Sequence, residues 1–593
     1  MRQFFKMFFA SFLAMVVMGV LFFFVIIGLI VGISKSVVTE RKKTIADNSI
    51  LYIETGKFIH ELGESNSLAT ILGEDEYSPG LYDVLKAIEH AKTDKDIKGI
   101  FIKLENDPNG WATLQQVRDA LADFKSSGKF IYAYGEMIPQ KSYYLGSVAD
   151  SIFLNPAGFT ELNGLATQMP FFKGLFEKLE VQPQVFYAGK YKSATEPFRA
   201  DKMSEPNRQQ VAAVQADIWG EFLKAVSEHT QTDTYSLHQL ALAGTVQFPE
   251  NALKHKLIDG MLYWDQVEQR MREKTGRKES EKISYVSLND YASQLRHDRK
   301  IKNDRIAVLF AEGAIKDGEG RDAYEIASRN FIDEIRKVAK NDKIKAVVLR
   351  INSPGGSALA SEVILRELQI LRQKKPLIVS MGDYAASGGY YISCQADSIF
   401  ALPNTITGSI GVFAICYNAQ NLLKNKLGIT FDGEKNAPYA DFPSTVRPLS
   451  ISESQKMQSI VDTIYSTFKN RVVTGRNMPA DKVDEIAQGR VWTGQDALEI
   501  GLVDGLGGLD RAIRSAAAKA NLKDYHIVTY PAPVDRFEML MKRVKGADAS
   551  AEVAKALMQA EMTEEFQFYK KVKSFQQING KAQTALPFDI RID

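Results

Sequence analysis

The chain has 593 residues, of which 45% are hydrophobic and 25% are charged, a composition typical of globular proteins and not of disordered or collagen-like ones. Its 74 Lys and Arg residues against 72 Asp and Glu residues give a formal net charge of +2, so the overall charge does not indicate a nucleic-acid partner. The length exceeds what one hydrophobic core normally holds and predicts several domains.

The amino-terminal region contains a long apolar stretch. Residues 7–33 include no charged residue, and this length exceeds both the roughly 20 residues that span a bilayer and the about 7–15 residues of a signal-peptide core. We therefore predict an uncleaved transmembrane anchor, with a polar stalk that ends at Asn48. More Lys and Arg residues follow the stretch than precede it, and charge alone places the body of the protein in the cytoplasm.

From residue 50 onward, short apolar runs alternate with segments of helical periodicity. This alternation predicts an α/β fold with largely parallel strands. The candidate strands are residues 50–53, 97–104, 130–134, 151–154, 306–310, 346–351, 377–381 and 398–402.

The second half of the chain repeats the first. At an offset of 247, residues 97–98, 143–144 and 149–153 recur at 344–345, 390–391 and 396–400, and later segments match at an offset of 245. Such a period indicates a tandem duplication. The predicted organisation is anchor and stalk (1–48), first repeat (49–268), a polar linker (269–304), second repeat (305–520) and a tail (521–593) with a helix that starts near Glu538.

The most informative stretch lies in the second repeat. The strand at 346–351 ends in a turn, Asn352 to Gly356, and the strand at 377–381 leads into a second turn before another helix. Ser387 lies where that strand ends and the helix begins, among small residues that let another backbone approach closely. This is a suitable position for a nucleophile, although Ser387 could instead be a small residue at a packing contact.

The two copies differ at this position. The offset of 247 places Gln140 opposite Ser387, so the first copy lacks the candidate nucleophile. Conversely, the first copy holds Lys190 and Lys192 in a segment whose counterpart, near residues 437–441, has no lysine at the matching position. Each copy therefore contains half of a possible site, and the pattern predicts one composite centre for each pair of repeats.

A lysine is the better candidate for the base that would serve Ser387. None of the seven histidines falls between Ile301 and Ala520, and lysine is a known alternative base for a serine nucleophile. An ordinary lysine has a pKa of about 10.4. Lowering that pKa to about 7 requires destabilising the ammonium by roughly 4–5 kcal/mol, which burial in an apolar cleft can supply.

Only two cysteines occur, Cys394 and Cys416. They cannot form a disulfide framework, and the chain has neither a CxxC motif nor the Cys/His spacing of a zinc site. Both lie among apolar residues, so we expect buried thiols. The sequence predicts no metal and no cofactor.

Four motifs together resemble the signal peptide peptidase A family in its long, tandem-repeat, membrane-anchored form, and through it the Clp protease and crotonase superfold. The resemblance extends from about residue 50 to residue 520. The motifs are NSPGG at 352–356, ASGGY at 386–390, TGSIG at 407–411 and YKSA at 191–194.

The resemblance implies a serine peptidase with a Ser-Lys dyad. Ser387 would be the nucleophile and Lys192 the general base, with Ser409 orienting the lysine; from the residues alone, Ser409 could equally belong to a turn. The backbone N–H of Gly388, with that of Gly355 or Gly356, resembles the family's oxyanion hole.

The resemblance also implies the substrates, assembly and location. The expected substrates are signal peptides left in the membrane after secretion. The family forms a bowl-shaped homotetramer, held in the plasma or inner membrane with its catalytic body on the extracytoplasmic (periplasmic) side. This location conflicts with the charge count, and we follow the family. Two alternatives from other classes are a crotonase-type acyl-CoA enzyme, which would have no obvious use for Ser387 and Lys192, and a catalytically silent scaffold.

Overall fold

The computed structural model describes residues 18, 45–65, 77–297, 302–320, 322, 324–535 and 580–585. The predicted anchor and the predicted tail helix lie outside these residues. Among the residues described, no helix combines the length and the apolar character that crossing a bilayer requires.

The described helices are α1 Leu81–Thr93, α2 Trp111–Lys125, α3 Gln140–Gly146, α4 Lys173–Leu179, α5 Glu196–Arg199, α6 Glu205–Thr230, α7 Thr234–Leu242, α8 Pro249–Lys254, α9 Trp264–Thr275, α10 Leu288–His297, α11 Ser328–Lys340, α12 Ala358–Arg372, α13 Gly388–Ser393, α14 Ile451–Arg476, α15 Ala480–Ile486, α16 Gly494–Glu499 and α17 Leu509–Lys519.

The strands are β1 Ser49–Glu54, β2 Glu64–Ser65, β3 Ile97–Lys103, β4 Phe130–Ile138, β5 Ser151–Thr160, β6 Gln182–Ala188, β7 Gly260–Met261, β8 Tyr285–Ser287, β9 Arg305–Glu312, β10 Ala314–Lys316, β11 Glu325–Ala327, β12 Ile344–Ser353, β13 Gly355–Ser357, β14 Leu377–Ala386, β15 Ser398–Ala401, β16 Ile406–Gly408, β17 Val412–Asn418, β18 Val491–Thr493, β19 Gly505–Leu506, β20 His526–Tyr530, β21 Val534–Asp535 and β22 Gln583–Ala585.

Two sheets of equivalent topology confirm the predicted duplicated α/β fold. The first has the strand order β7-β5-β4-β3-β1-β8, and all its pairs are parallel. The second sheet contains the corresponding parallel order β19-β15-β14-β12-β9-β20. The apolar runs of the central strands are buried on both faces by helices, as expected of parallel sheets.

A third sheet combines strands from both repeats. Its order is β11-β10-β13-β22-β17-β6. Strand β6 of the first repeat pairs antiparallel with β17 of the second over seven residue pairs, from Val412 with Ala188 to Asn418 with Gln182. Because β6 leads directly to Lys192 and β13 follows the turn at Pro354, this sheet connects the two halves of the predicted site.

Buried polar contacts also fix the two repeats against each other. The carboxylate of Glu61 accepts two hydrogen bonds from the guanidinium of Arg350, at 2.8 and 2.9 Å, and both side chains are buried. Asp383 of the second repeat accepts hydrogen bonds from the backbone N–H and the hydroxyl of Thr113, in the first turn of α2. Separating the repeats would leave the charges of Glu61 and Arg350 buried without a partner, which is strongly destabilising. These contacts therefore favour one relative position of the two repeats.

The interval 269–304, predicted as a linker, contains ordered secondary structure. Strand β8 pairs with β1 at the edge of the first sheet, and α10 packs Tyr291 and Ala292 into the core of the first repeat. The polar composition of this interval reflects helices that expose one face to solvent, since α9 buries only Val267, Met271 and Thr275.

Candidate active site

Ser387 lies at the junction between β14 and α13. Its backbone is strained, with φ 54° and ψ −110°, a conformation that residues with a side chain rarely adopt. The backbone N–H of Ser387 donates to the carbonyl of Gly408 at 2.8 Å. This contact and the buried strand before it hold the residue in place, and its hydroxyl points towards the first repeat.

Lys192 reaches that hydroxyl from the first repeat. Its Nζ lies 2.9 Å from Oγ of Ser387, 3.0 Å from Oγ of Ser409 and 3.1 Å from the carbonyl oxygen of Ser409. Only 1% of Lys192 is exposed. The neighbouring Lys190 is exposed and places its Nζ over the ring of Tyr191 instead. Of the two lysines that the sequence leaves open, the structure therefore brings Lys192 to Ser387.

Burial alone lowers the pKa of Lys192 to about 7. Desolvation disfavours the ammonium form, and among the residues described no charged neighbour counters this effect. A lysine with this pKa is substantially neutral at physiological pH and can accept a proton.

Two glycines leave room for the lysine side chain. A Cβ on Gly489 would stand 2.7 Å from Cβ of Lys192, and a Cβ on Gly411 would stand 3.1 Å from its Cδ. Side chains at either position would displace the lysine. Gly411 belongs to the TGSIG motif, whereas Gly489 is one that sequence reasoning missed.

Ser409 is the third member of the cluster. It has a positive φ of 51°, and its backbone N–H donates to the carbonyl of Arg490 at 2.7 Å. Its hydroxyl and carbonyl oxygens both face the amine of Lys192, so the terminal nitrogen is held from two directions. Ser409 thus contacts Lys192 in addition to forming the turn that its sequence context allows, and its role in orienting the lysine stays a prediction.

Sequence reasoning also missed Gln210, on the buried face of α6. Its Nε2 donates to the carbonyl of Tyr191 at 3.2 Å and to Oγ of Ser193 at 2.9 Å, while its Oε1 accepts from the backbone of Val491 at 3.2 Å. Gln210 therefore holds both neighbours of Lys192, through the backbone of Tyr191 and the side chain of Ser193, and joins them to β18 of the second repeat. A glutamine within a long amphipathic helix carries no signal that could have revealed this role.

The candidate oxyanion glycines lie together beside Ser387. A Cβ on Gly388 would stand 3.1 Å from the backbone nitrogen of Gly356, and a Cβ on Gly355 would stand 2.7 Å from that of Gly388. Gly355 has a φ of +99°, which a side chain would strain. The N–H of Gly355 already donates to Oγ of Ser353 at 3.1 Å, which favours Gly356 and Gly388 as the donors.

The equivalent place in the first repeat is closed by its own polar groups. Oε1 of Gln140 accepts from the backbone of Asn163 and Gly164, and its Nε2 donates to the carbonyl of Gly164. Opposite the glycine turn, Oδ1 of Asp107 accepts from the backbone and the side chain of Asn109. Burial raises the pKa of Asp107 to about 6. The first copy thus has no hydroxyl at the position of Ser387.

Neither cysteine takes part in the site. Both are buried, as expected, and burial raises the pKa of Cys394 to about 12 and that of Cys416 to about 11. Within the part of the chain that the structure describes, no cluster of three or more His, Cys, Asp or Glu residues is arranged to hold a metal ion.

Comparisons with known proteins identify the family of the chain. The model of Peptidase family S49 matches the chain twice, over residues 123–278 and 369–523. The chain is 36% identical to "Protease 4" of Salmonella typhi over 525 residues, which cover 87% of this chain and 84% of that protein. It is 34% identical to "Serine protease SPPA, chloroplastic" of Arabidopsis thaliana over 438 residues, 73% of this chain and 64% of that protein.

A shorter relative matches one part of the chain. It is the "Putative signal peptide peptidase SppA" of Enterococcus faecium, 37% identical over 234 residues, which cover 38% of this chain and 67% of that protein. The two family matches, one in each repeat, agree with the duplication seen in the fold. The chain belongs to Peptidase family S49 and is a serine protease with two tandem family domains.

Proposed function

We propose that this protein is a membrane-anchored serine endopeptidase with a Ser-Lys dyad, and that it cleaves remnant signal peptides and other apolar peptides. The observation that carries the dyad is the 2.9 Å contact between Nζ of Lys192 and Oγ of Ser387. The acyl-CoA alternative and the silent scaffold are set aside, because the chain belongs to a peptidase family.

The proposed reaction begins with neutral Lys192. Its Nζ takes the proton of the Ser387 hydroxyl as Oγ attacks the carbonyl carbon of the scissile peptide bond. The backbone N–H groups of Gly356 and Gly388 stabilise the negative charge on the carbonyl oxygen. The Lys192 ammonium then donates its proton to the leaving amine, and an acyl-enzyme remains on Ser387.

A water molecule completes the cycle. Lys192 is neutral again after the amine leaves, and it takes a proton from the water that attacks the acyl carbonyl. The bond between Oγ of Ser387 and the acyl carbon then breaks, Lys192 returns the proton to Oγ, and the acid product leaves. Ser409 keeps the lysine amine in line for both transfers, because its two oxygens lie 3.0 and 3.1 Å from Nζ. Even a small displacement of the base lowers the reaction rate strongly. The role proposed for Ser409 is therefore to keep Lys192 in position.

The resemblance of the four motifs supports the proposed substrate class. The surroundings of Lys192 are apolar, since Ala194, Phe198, Phe413 and Ile415 form a buried apolar cluster next to it. The proposal that remnant signal peptides are substrates rests on that resemblance.

The first prediction concerns Lys192 as the base. Lys192→Ala and Ser387→Ala should each lower the rate of peptide cleavage by at least about 10²–10⁴-fold, with unchanged circular dichroism, and should abolish labelling by a fluorophosphonate.

Because the unprotonated amine is the active form, wild-type kcat/KM should rise with pH through about 7 and then level off. Lys190→Ala is the matched control and should retain full activity. An active Lys192→Ala enzyme would show that the base is another group.

The second prediction tests the pKa of Lys192 without any assay of activity. Folded Lys192 loses its proton near pH 7, whereas in the unfolded chain it stays protonated to about pH 10.4. Unfolding therefore takes up a proton in this window, and wild-type stability should rise with pH relative to Lys192→Met. The stability difference between the two proteins should change by roughly 4–5 kcal/mol between pH 7 and 10.5.

Chemical denaturation across that pH range measures this difference. The same comparison with Lys190→Met is the matched control, because Lys190 is a neighbouring lysine that is exposed. A flat difference for Lys192→Met would mean that the buried lysine keeps an ordinary pKa.

The third prediction concerns the glycine turn. Gly355→Ala should lower kcat by about 10²–10³-fold, the usual loss when an oxyanion hole is damaged, because the new Cβ would stand 2.7 Å from the nitrogen of Gly388. Gly128→Ala is the control: it has a similar φ of +79° and open space around it, so it should lose some stability and no activity. Equal activity losses in the two variants would assign the effect to backbone strain alone.

We further propose that residues 7–33 anchor the protein in the plasma or inner membrane, with the catalytic body outside the cytoplasm, and that four copies assemble. The 27-residue uncharged stretch supports the anchor, and the resemblance of the motifs supports the orientation and the tetramer. A protease added to spheroplasts should degrade the body of the protein. Protection of the body until the membrane is broken would place it in the cytoplasm, as the charge count indicates.

A further inference from the structure

Three buried polar side chains form a hydrogen-bonded series that ends at the lysine-bearing segment of the first repeat. They are Glu196, Asn207 and Gln210, and each is at most 3% exposed. Nδ2 of Asn207 donates to Oε2 of Glu196 at 2.9 Å, and Oδ1 of Asn207 accepts from Nε2 of Gln210 at 3.1 Å. Gln210 in turn holds both neighbours of Lys192. We name this series of three side chains the relay.

The directions of these hydrogen bonds are fixed at both ends of the relay. The carboxylate of Glu196 accepts from the backbone N–H of Ser204 at 3.1 Å, from the Ser204 hydroxyl and from Asn207. A carboxylate that only accepts requires the Nδ2 side of the Asn207 amide, which leaves Oδ1 for Gln210. At the other end, the backbone N–H of Val491 can only donate and requires Oε1 of Gln210. The Nε2 group of Gln210 is therefore turned towards the lysine-bearing segment.

The second repeat contains a helix equivalent to the one that carries most of the relay. Helices α6 and α14 each have 26 residues and begin 246 residues apart, at Glu205 and Ile451. Each is capped by a serine side chain, Ser204 or Ser450, which accepts from the backbone N–H three residues later. Residues at this offset are therefore counterparts in the two repeats.

Helix α14 carries different side chains at the positions of the relay. Glu453 stands at the position of Asn207 and belongs to the capping box of its own helix. Lys456 stands at the position of Gln210 and is exposed. Because α14 forms with the same length and the same cap, folding of such a helix does not require the relay. The copy that has the relay is also the copy that supplies the candidate base.

The relay holds the lysine-bearing segment with neutral groups. Gln210 and Lys192 line the same small cavity, together with Ser409 and Gly489. Because burial is the cause of the lowered pKa of Lys192, a negative charge at this cavity would favour the ammonium and raise that pKa again. An amide can hold the backbone without this effect. The carboxylate of the relay lies at its far end, on Glu196.

We propose that the relay of Glu196, Asn207 and Gln210 positions the base of the proposed dyad. It holds the backbone that carries Lys192, so that the amine stays within hydrogen-bonding reach of Ser387. Gln210 acts directly on that backbone, and the other two residues act through Gln210. This inference rests on the proposed function. Since even a small displacement of a base lowers the rate strongly, loss of the relay should lower kcat and leave KM unchanged.

Asn207→Leu and Glu453→Leu are a matched pair of variants that tests the proposal. Both replace a buried polar side chain at the same position of equivalent helices, and both proteins should unfold at a lower denaturant concentration than wild type. Only Asn207→Leu should lower kcat for a fluorogenic apolar peptide, by about 10- to 100-fold per folded molecule. Equal losses of kcat in the two variants would show that the relay serves folding alone, and would overturn the proposal.

Gln210→Glu tests the proposal with a side chain of nearly the same shape. The variant keeps the acceptor for Val491, loses the donor and places a carboxyl group at the cavity that Lys192 lines. The rise of kcat/KM with pH should move upward from about 7 by at least about one pH unit. Gln209→Glu is the control, because Gln209 is the exposed neighbour, and its profile should match that of wild type. Full activity and an unshifted profile in Gln210→Glu would contradict the proposal.

Lys192→Ala, assayed on the same peptide, separates this inference from the proposed function. If Lys192→Ala is inactive while Asn207→Leu and Gln210→Glu keep the wild-type kcat and pH profile, the relay does not position the base and the proposed function stands. If Lys192→Ala cleaves the peptide like wild type, the lysine is not the base and both proposals are overturned.

Discussion

The site depends on one physical condition, the removal of the Lys192 amine from water. The lysine is almost completely buried, and desolvation is what brings its pKa to about 7. Because burial is the cause of the lowered pKa, a gap that admitted water would return the lysine to an ordinary, protonated state. The surrounding structure must therefore be closed on all sides, and the walls come from both repeats: Gly411 and Gly489 from the second, and the segment that carries the lysine from the first.

This condition explains how tightly the two repeats are joined. A buried base must also lie within hydrogen-bonding reach of the nucleophile, and small displacements are costly. The antiparallel pairing of β6 with β17, the buried pair of Glu61 with Arg350 and the contact of Asp383 with Thr113 all cross between the repeats. Each is buried or directional, and together they define one relative position.

The sequence predicted much of the fold and part of the site. Each of the eight apolar runs that we predicted as strands coincides with a strand of the two parallel sheets. The internal offset revealed the duplication. Both signals are readable in the sequence because one is local and the other is repeated. The strand-to-helix junction identified Ser387, and the lack of nearby histidines pointed to a lysine. The third sheet could not be foreseen: pairing of Ala188 with Val412, or of Thr584 with Gly356, joins distant segments whose composition carries no record of the partner. For the same reason Gln210 and Gly489 were missed.

Backbone strain distinguishes the repeat that holds the candidate nucleophile from the repeat that lacks it. In the second repeat, Ser387 and Ser409 both have positive φ, and each such residue costs of order 1–3 kcal/mol unless the structure enforces it. Their N–H groups are held by the carbonyls of Gly408 and Arg490. In the first repeat, Gln140 instead begins the ordinary helix α3 after an extended Pro139. Where the hydroxyl is gone, the strained conformation is gone as well. Packing does not require this strain, since the first repeat forms the equivalent junction in an ordinary helical conformation, so we attribute the strain at Ser387 to the role proposed for its hydroxyl.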